Sequence, residues 1–262
     1  MKLTLVDSSC PELASCLIGY IGGEIENNGK VVRRVIPVRP NCFIQIILEG
    51  RYSLHDVQTG RRVQPPQAGF FGTVTRYGYD FEVDGGLKTF TAQLQPASAA
   101  QFFDVDPVAL VNGFAPIELP EGFLETLRAA PDWQTVALAV DEWLKSLTHG
   151  RVCSDPVARE ARRLRMMHGT VPIQELADAA GISLRHFQRR FLQLTGLNPK
   201  HYARICRIGH AIHHKELEPD VSWTELALES GYADQSHFIR DFKALTGVVP
   251  REFLRGQTFI LR

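Results

Sequence analysis

One stretch of this chain occurs twice, and the repeat restricts the fold more than any other feature. Ile173–Pro199 reads IQELADAAGISLRHFQRRFLQLTGLNP, and Ser222–Phe253 reads SWTELALESGYADQSHFIRDFKALTGVVPREF. Glu175-Leu176-Ala177 matches Glu225-Leu226-Ala227, and Gly181 matches Gly231, at an offset of 50. Past the glycine the offset is 51: Ser183 matches Asp234, His186-Phe187 matches His237-Phe238, and Phe191 matches Phe242. Thr195-Gly196 and Pro199 then match Thr246-Gly247 and Pro250. One residue gained in a turn leaves the flanking helices in phase, so the unit is structural. Two copies make a tandem pair, not a solenoid.

Within each unit the residue order predicts helix, glycine turn, helix. Ser222 with Glu225 three residues on forms a capping box, and Asp234 supplies an oxygen to cap the second helix. Phe238, Phe242 and Leu245 recur at i, i+4 and i+7, the spacing of a buried face. Ser236, His237 and Arg240 point the other way. This is the helix-turn-helix pattern, whose second helix reads the DNA major groove. In the first unit Leu184, Phe187, Phe191 and Leu194 form the buried face, and Arg185, Gln188 and Arg189 project together. Arginine can donate two bonds to guanine, and glutamine can pair the same way with adenine. The expected DNA-binding residues are therefore Arg185, Gln188 and Arg189, and in the second unit Gln235, Ser236, His237 and Arg240. The second face carries one permanent charge, which predicts looser base readout and more backbone contact.

A helix over His201–Leu217, ~25 Å long, links the units. It would hold the two reading helices about one DNA turn apart, ~34 Å. One chain would then meet two successive major grooves of double-stranded DNA, with slight bending of the duplex. The glycine-tyrosine turn, the closing Thr-Gly-x-x-Pro and the tandem register together resemble the DNA-binding domain of AraC/XylS-type transcription regulators. The resemblance covers roughly residues 154 to 254. It implies a sequence-specific regulator whose N-terminal domain senses a small-molecule effector or mediates homodimerisation, with RNA polymerase as a further candidate partner.

At 262 residues the chain has room for two domains. Residues 151–262 hold 17 Lys and Arg against 12 Asp and Glu, and residues 1–150 hold 12 against 17. A basic half beside an acidic half suits one polyanion-binding domain and one with a different task. The expected division is 1–150 for effector sensing and dimerisation and 151–262 for DNA, joined by a linker at Thr148–Arg151. Short β-rich runs broken by turns fill the first part: Val31–Val38, Cys42–Leu48, Tyr52–Val57, Phe70–Tyr77, Tyr79–Val83 and Thr89–Gln95. Turns are expected at Gly22-Gly23, Asn27-Asn28-Gly29, Glu49-Gly50 and Asp84-Gly85-Gly86. Helices are expected at Ser98–Phe103, Pro107–Asn112, Leu124–Ala130 and Trp133–Leu147. The fold class is α+β: an antiparallel, barrel-like β domain with helices, then an all-α domain of two helix-turn-helix units joined by a linking helix. The stripe Val136, Val140, Trp143 and Leu147 packs either on the β domain or on its twin in a second chain. A dimer built on Trp143 is the expectation carried forward.

Five cysteines lack metal-type spacing, and with no signal peptide in view they suit reduced thiols in a cytoplasm. No apolar run approaches the ~20 residues of a membrane span. His210, His213 and His214 share helical spacing, but Glu216 is the one carboxylate set up beside them. Solvent- or phosphate-facing histidines are the simpler reading, and no metal is expected. No phosphate loop, HExxH or GxSxG is present, so no catalytic residue or cofactor is expected and the residues of an effector site stay unassigned. Two rivals remain. One is a regulator whose N-terminal half binds only protein partners. The other is an alkyl-transfer DNA-repair protein with an AraC-like module, which would require a reactive cysteine in a catalytic motif.

Overall fold

The computed structural model describes residues 2–26, 30–148 and 155–253. The expected turn at Asn27-Asn28-Gly29, the linker residues after Thr148 and Cys153 lie outside the described residues.

The N-terminal half is one eight-stranded sheet in which every pair is antiparallel. Its strands are β1 (Lys2–Val6), β2 (Leu17–Ile25), β3 (Val32–Val35), β4 (Phe43–Asp56), β5 (Arg62–Val63), β6 (Ala68–Phe71), β7 (Tyr79–Leu94) and β8 (Phe114–Pro116). They lie in the order β1-β2-β7-β4-β6-β8, with β3 on β7 and β5 on β4. The long strands β4 and β7 form the spine. Two of the expected turns fall inside them. Gly50 pairs with Leu87 and the next pairing is Tyr52 with Val83, so Arg51 faces the surplus residues 84–86. A bulge adds residues to one strand and bends both without ending either. Glycine signals a bend here rather than a reversal: Gly50 sits at φ +75° and Gly85 at +98°.

Gly22-Gly23, also expected to turn, lies in the middle of β2. The cause is packing. A Cβ on Gly22 would sit inside the indole of Trp133, at distances no pair of carbon atoms sustains. Gly22→Ala should therefore destabilise the domain by about 1–3 kcal/mol through overpacking. Thermal denaturation of the full chain checks this, and an unchanged midpoint would mean that Trp133 has room to move.

Alternation along the strands divides the sheet into two faces. Tyr20, Ile44, Ile46, Phe90, Ala92 and Leu94 belong to a core shared with α1 (Ala99–Phe102), α2 (Phe123–Ala129) and α3 (Trp133–Thr148). The stripe on α3 is part of that core, which corrects the expectation that Trp143 forms a dimer contact. Trp143 is 7% exposed and rings with Phe103 and Phe123 at centroid distances of 6.4 and 5.5 Å. Buried Asp141 ties α3 to β2 and to the segment that follows β1, accepting from Ser8 Oγ at 2.6 Å and Tyr20 Oη at 2.5 Å. The Pro107–Asn112 stretch, expected as a helix, is a run of turns in which Asn112 sits at φ +58°.

The C-terminal half is helical. Its elements are α4 (Pro156–Met166), α5 (Ile173–Ala179), α6 (Leu184–Thr195), α7 (Pro199–Leu217), α8 (Trp223–Glu229), α9 (Gln235–Thr246) and α10 (Pro250–Phe253). One buried cluster joins them, and it contains Leu176, Phe187 and Phe191 from the first unit and Leu226, Phe238 and Phe242 from the second. Val38 of the N-terminal half lies in the same cluster. Two hydrogen bonds also cross between the halves: Tyr77 N donates to Leu245 O at 2.8 Å, and Arg162 donates to Ser15 O at 2.6 Å.

Candidate nucleic-acid interface

The repeat extends to individual hydrogen bonds. Ser183 Oγ accepts from His186 N at 3.3 Å, and Asp234 Oδ1 accepts from His237 N at 2.7 Å, so both reading helices are side-chain capped. Ser222 caps α8 by accepting from Glu225 N at 3.1 Å. At the other end Thr195 and Thr246 each donate to the carbonyl four residues back, Phe191 O and Phe242 O, both at 2.8 Å. Gly196 and Gly247 then close the helices at φ +76° and +80°. Glycines at φ +71° (Gly181) and +77° (Gly231) form the two internal turns.

Phe187 and Phe191 anchor α6, and Phe238 and Phe242 anchor α9, all fully buried. The opposite faces are therefore turned outward. Arg185 and Arg189 are exposed and Gln188 is partly exposed on α6; Gln235, Ser236, His237 and Arg240 are exposed on α9. Arg185, Arg189 and Arg240 form no ion pair among the described residues. The neighbouring arginines differ. Arg190 binds Asp155 at 2.7 Å and Arg204 binds Asp241 at 2.8 Å, so both brace the fold. His237 leans back on its own helix, with Nε2 3.7 Å from Asp241 and its ring edge-on to Tyr232. Three uncommitted guanidiniums on two outward faces suit contact with a polyanion.

The histidines of α7 do not line up toward solvent as expected. His210 stacks on His168 with centroids 3.8 Å apart, and His214 meets Glu229 at 3.2 Å. Burial, with His168, His214 and His213 nearby, pushes the pKa of His210 down to about 4. Among the described residues no three His, Cys, Asp or Glu side chains are placed to share an ion. Between pH ~6.5 and ~4 the unfolded chain binds a proton that folded His210 refuses, so stability should decrease as the pH is lowered through that window. His210→Gln should flatten the slope there. Denaturant midpoints at several pH values check it, and an unaltered slope would assign the effect to other groups.

Residues 176–256 match the helix-turn-helix domain family. Over 87 residues the chain is 34% identical to the HTH-type transcriptional activator RhaS of Escherichia fergusonii, and over 92 residues 32% identical to RhaS of Klebsiella pneumoniae. These alignments take in 32% and 34% of this chain and 30% and 32% of the relatives. Residues 176–256 therefore carry a helix-turn-helix domain similar to that of these transcriptional activators. The chain thus spans about a third of the length of the curated relatives it matches. The fold of nearly the whole chain matches ToxT from Vibrio cholerae. The TM-score is 0.51 at 10% identity, covering 90% of this chain and 97% of ToxT. A second ToxT structure superimposes with the same score over 97% and 98%.

A second site went unread in the sequence. The sheet face opposite the helical core borders a partly open cavity of about 450 Å³, within the ~300–1,000 Å³ range of small-molecule sites. Thr89, Thr91 and Gln93, the polar side of the alternation on β7, face it together with Phe43, Tyr52 and Phe81. Polar alternation normally means open solvent, and here it lines a partly sheltered pocket.

Proposed function

We propose that the chain is a sequence-specific DNA-binding transcription regulator controlled by a small-molecule effector in its N-terminal domain. The observation that carries this reading is the pair of outward faces, Arg185–Gln188–Arg189 and Gln235–Ser236–His237–Arg240. Each sits on a capped helix locked by two buried phenylalanines. Helix α7 runs between the units for 19 residues, ~28 Å at ~1.5 Å per residue. That length suits two successive major grooves of one duplex. The first face contacts bases, and the second contacts bases more loosely and the phosphate backbone more. Residues 1–150 form the effector domain and residues 151–262 the DNA-binding domain.

The cavity supports effector control over a purely protein-binding N-terminal half. A fold likeness supports it as well, since one matching ToxT structure is bound to (E)-4-(8-methylnaphthalen-1-yl)but-3-enoic acid. We further propose that the protein acts in the cytoplasm, as a homodimer, with RNA polymerase as a partner. Trp143 is excluded from the dimer contact by its place in the core. Selection of bound duplexes from a random pool tests the reading. One enriched sequence family supports it, and recovery of unenriched DNA refutes sequence-specific control.

A further inference from the structure

Arg39 follows β3 and enters the cavity wall, its backbone N–H bonded to Val74 O at 2.9 Å. Its guanidinium lies 4.0 Å above the ring of Phe43. Among the described residues no carboxylate pairs with it, and its Nε is buried without a hydrogen-bond partner. Asn41, 7% exposed, also lines the cavity, and its side-chain carbonyl is buried and unpartnered. Desolvation lowers the Arg39 pKa to about 10, which leaves it charged at neutral pH. The other charged lining groups, Arg34, Arg76 and Asp56, add no buried counter-ion, because the two arginines are exposed and Asp56 is partly so. A partly buried guanidinium with no counter-ion and an unpartnered Nε is costly, and its natural complement is an anion. Guanidinium matches carboxylate bidentately, and the Asn41 amide can turn its N–H₂ toward the same group. Thr89, Thr91 and Gln93 add neutral polar groups along β7, and much of the remaining wall is apolar, with Ile21, Leu54, Phe71 and Phe81 among it.

Three segments of the cavity wall also touch the DNA-binding units. Val35 to Arg39 line the cavity, and Val38 between them is buried in the C-terminal core, its carbonyl against Gly209 of α7. Arg76 and Gly78 line the cavity, and Tyr77 between them holds Leu245 O near the end of α9. Val111 lines the cavity and packs on the C-terminal core, and with Pro107 it closes over Gly196 at the end of α6. The ends of both reading helices therefore rest on the wall of one pocket.

We propose that this cavity binds a monocarboxylate with an apolar alkyl or aryl body, anchored by Arg39, and that its occupancy shifts both reading helices through these three segments. The proposal rests on the effector-controlled reading above and names its ligand class and its route. Titration calorimetry on the full chain tests it with 4-phenylbutyrate and decanoate against 4-phenylbutan-1-ol and decan-1-ol. Both acids should bind at least about tenfold tighter than their alcohols. Arg39→Met should weaken the acids by about ten- to a hundredfold and leave the alcohols unchanged. Arg39→Lys should recover part of the loss. If Arg39→Met does not fold, the comparison of acid with alcohol on the native chain decides the ligand class. Alcohols that bind as tightly as the acids, or acids that fail to bind up to millimolar concentration, overturn it. Affinity for the selected DNA site should then change at least about fivefold on saturation with acid, an effect lost in Arg39→Met. Acid binding with unchanged DNA affinity overturns the route. Absence of specific DNA binding with and without acid is the separate failure of the regulator reading.

Discussion

Trp143→Asp should unfold the N-terminal domain rather than split a dimer. The indole is packed between Phe103 and Phe123 on a helix whose Val136, Val140 and Leu144 are all buried. Removing a large aromatic from such a site costs about 3–5 kcal/mol, and an unpaired carboxylate in its place adds a desolvation penalty of several more. A domain of ordinary stability, about 5–15 kcal/mol, has little left after that loss. Circular dichroism and thermal denaturation should show lost sheet structure or a transition displaced by well over 10 °C. A folded variant with an unchanged midpoint, converted from dimer to monomer, would restore the interface reading and contradict the packing described above. The rest of α3 agrees with the core assignment. Its outward residues are Gln134, Thr135, Leu138, Glu142, Lys145 and Ser146, with Leu138 the one large apolar side chain among them.

The second large effect is expected on the first reading helix. Arg189→Ala should cost about 1–3 kcal/mol at the preferred site and relax base preference beneath it. Arg185→Ala should act on a neighbouring base pair. The double variant should bring specific binding close to the non-specific level, because the two residues lie one turn apart on a single face. Neither arginine pairs with a carboxylate among the described residues, so the fold should survive both changes. Competition binding against scrambled sequence separates the outcomes. Equal weakening on all sequences would place Arg189 on phosphate and move base readout elsewhere. Binding should also fall steeply with salt, as it does wherever arginines displace counterions from DNA.

The C-terminal half was legible because its signals are local and occur twice. Caps, glycine turns and phenylalanine spacing each specify a few neighbouring residues, and each appears in the hydrogen bonds of both units. The N-terminal half was legible as β structure but not in its connections. Gly50 and Gly85 read as reversals, yet they bend two long strands whose pairing joins residues 23 to 50 positions apart. Gly22 read as a turn because nothing nearby in sequence reveals Trp133 above it. The cavity was hidden for a related reason. Thr89, Thr91 and Gln93 show the alternation of a strand with one wet face, and only the segments brought across that face from distant parts of the chain, among them Val35–Pro37 and Val111–Phe114, shelter it. Arg39 gave no sequence signal, since a surface arginine beside proline looks the same.

The central claim is that one chain presents two reading helices to successive major grooves of one duplex. Methylation interference on the selected site measures this directly, because a methyl on guanine N7 obstructs the major groove. Two clusters of interfering guanines should appear about one helical turn, 10–10.5 base pairs, apart. The cluster assigned to α6 should fade in Arg189→Ala while the other persists. A single cluster, or two whose spacing departs from a whole turn, would contradict the account.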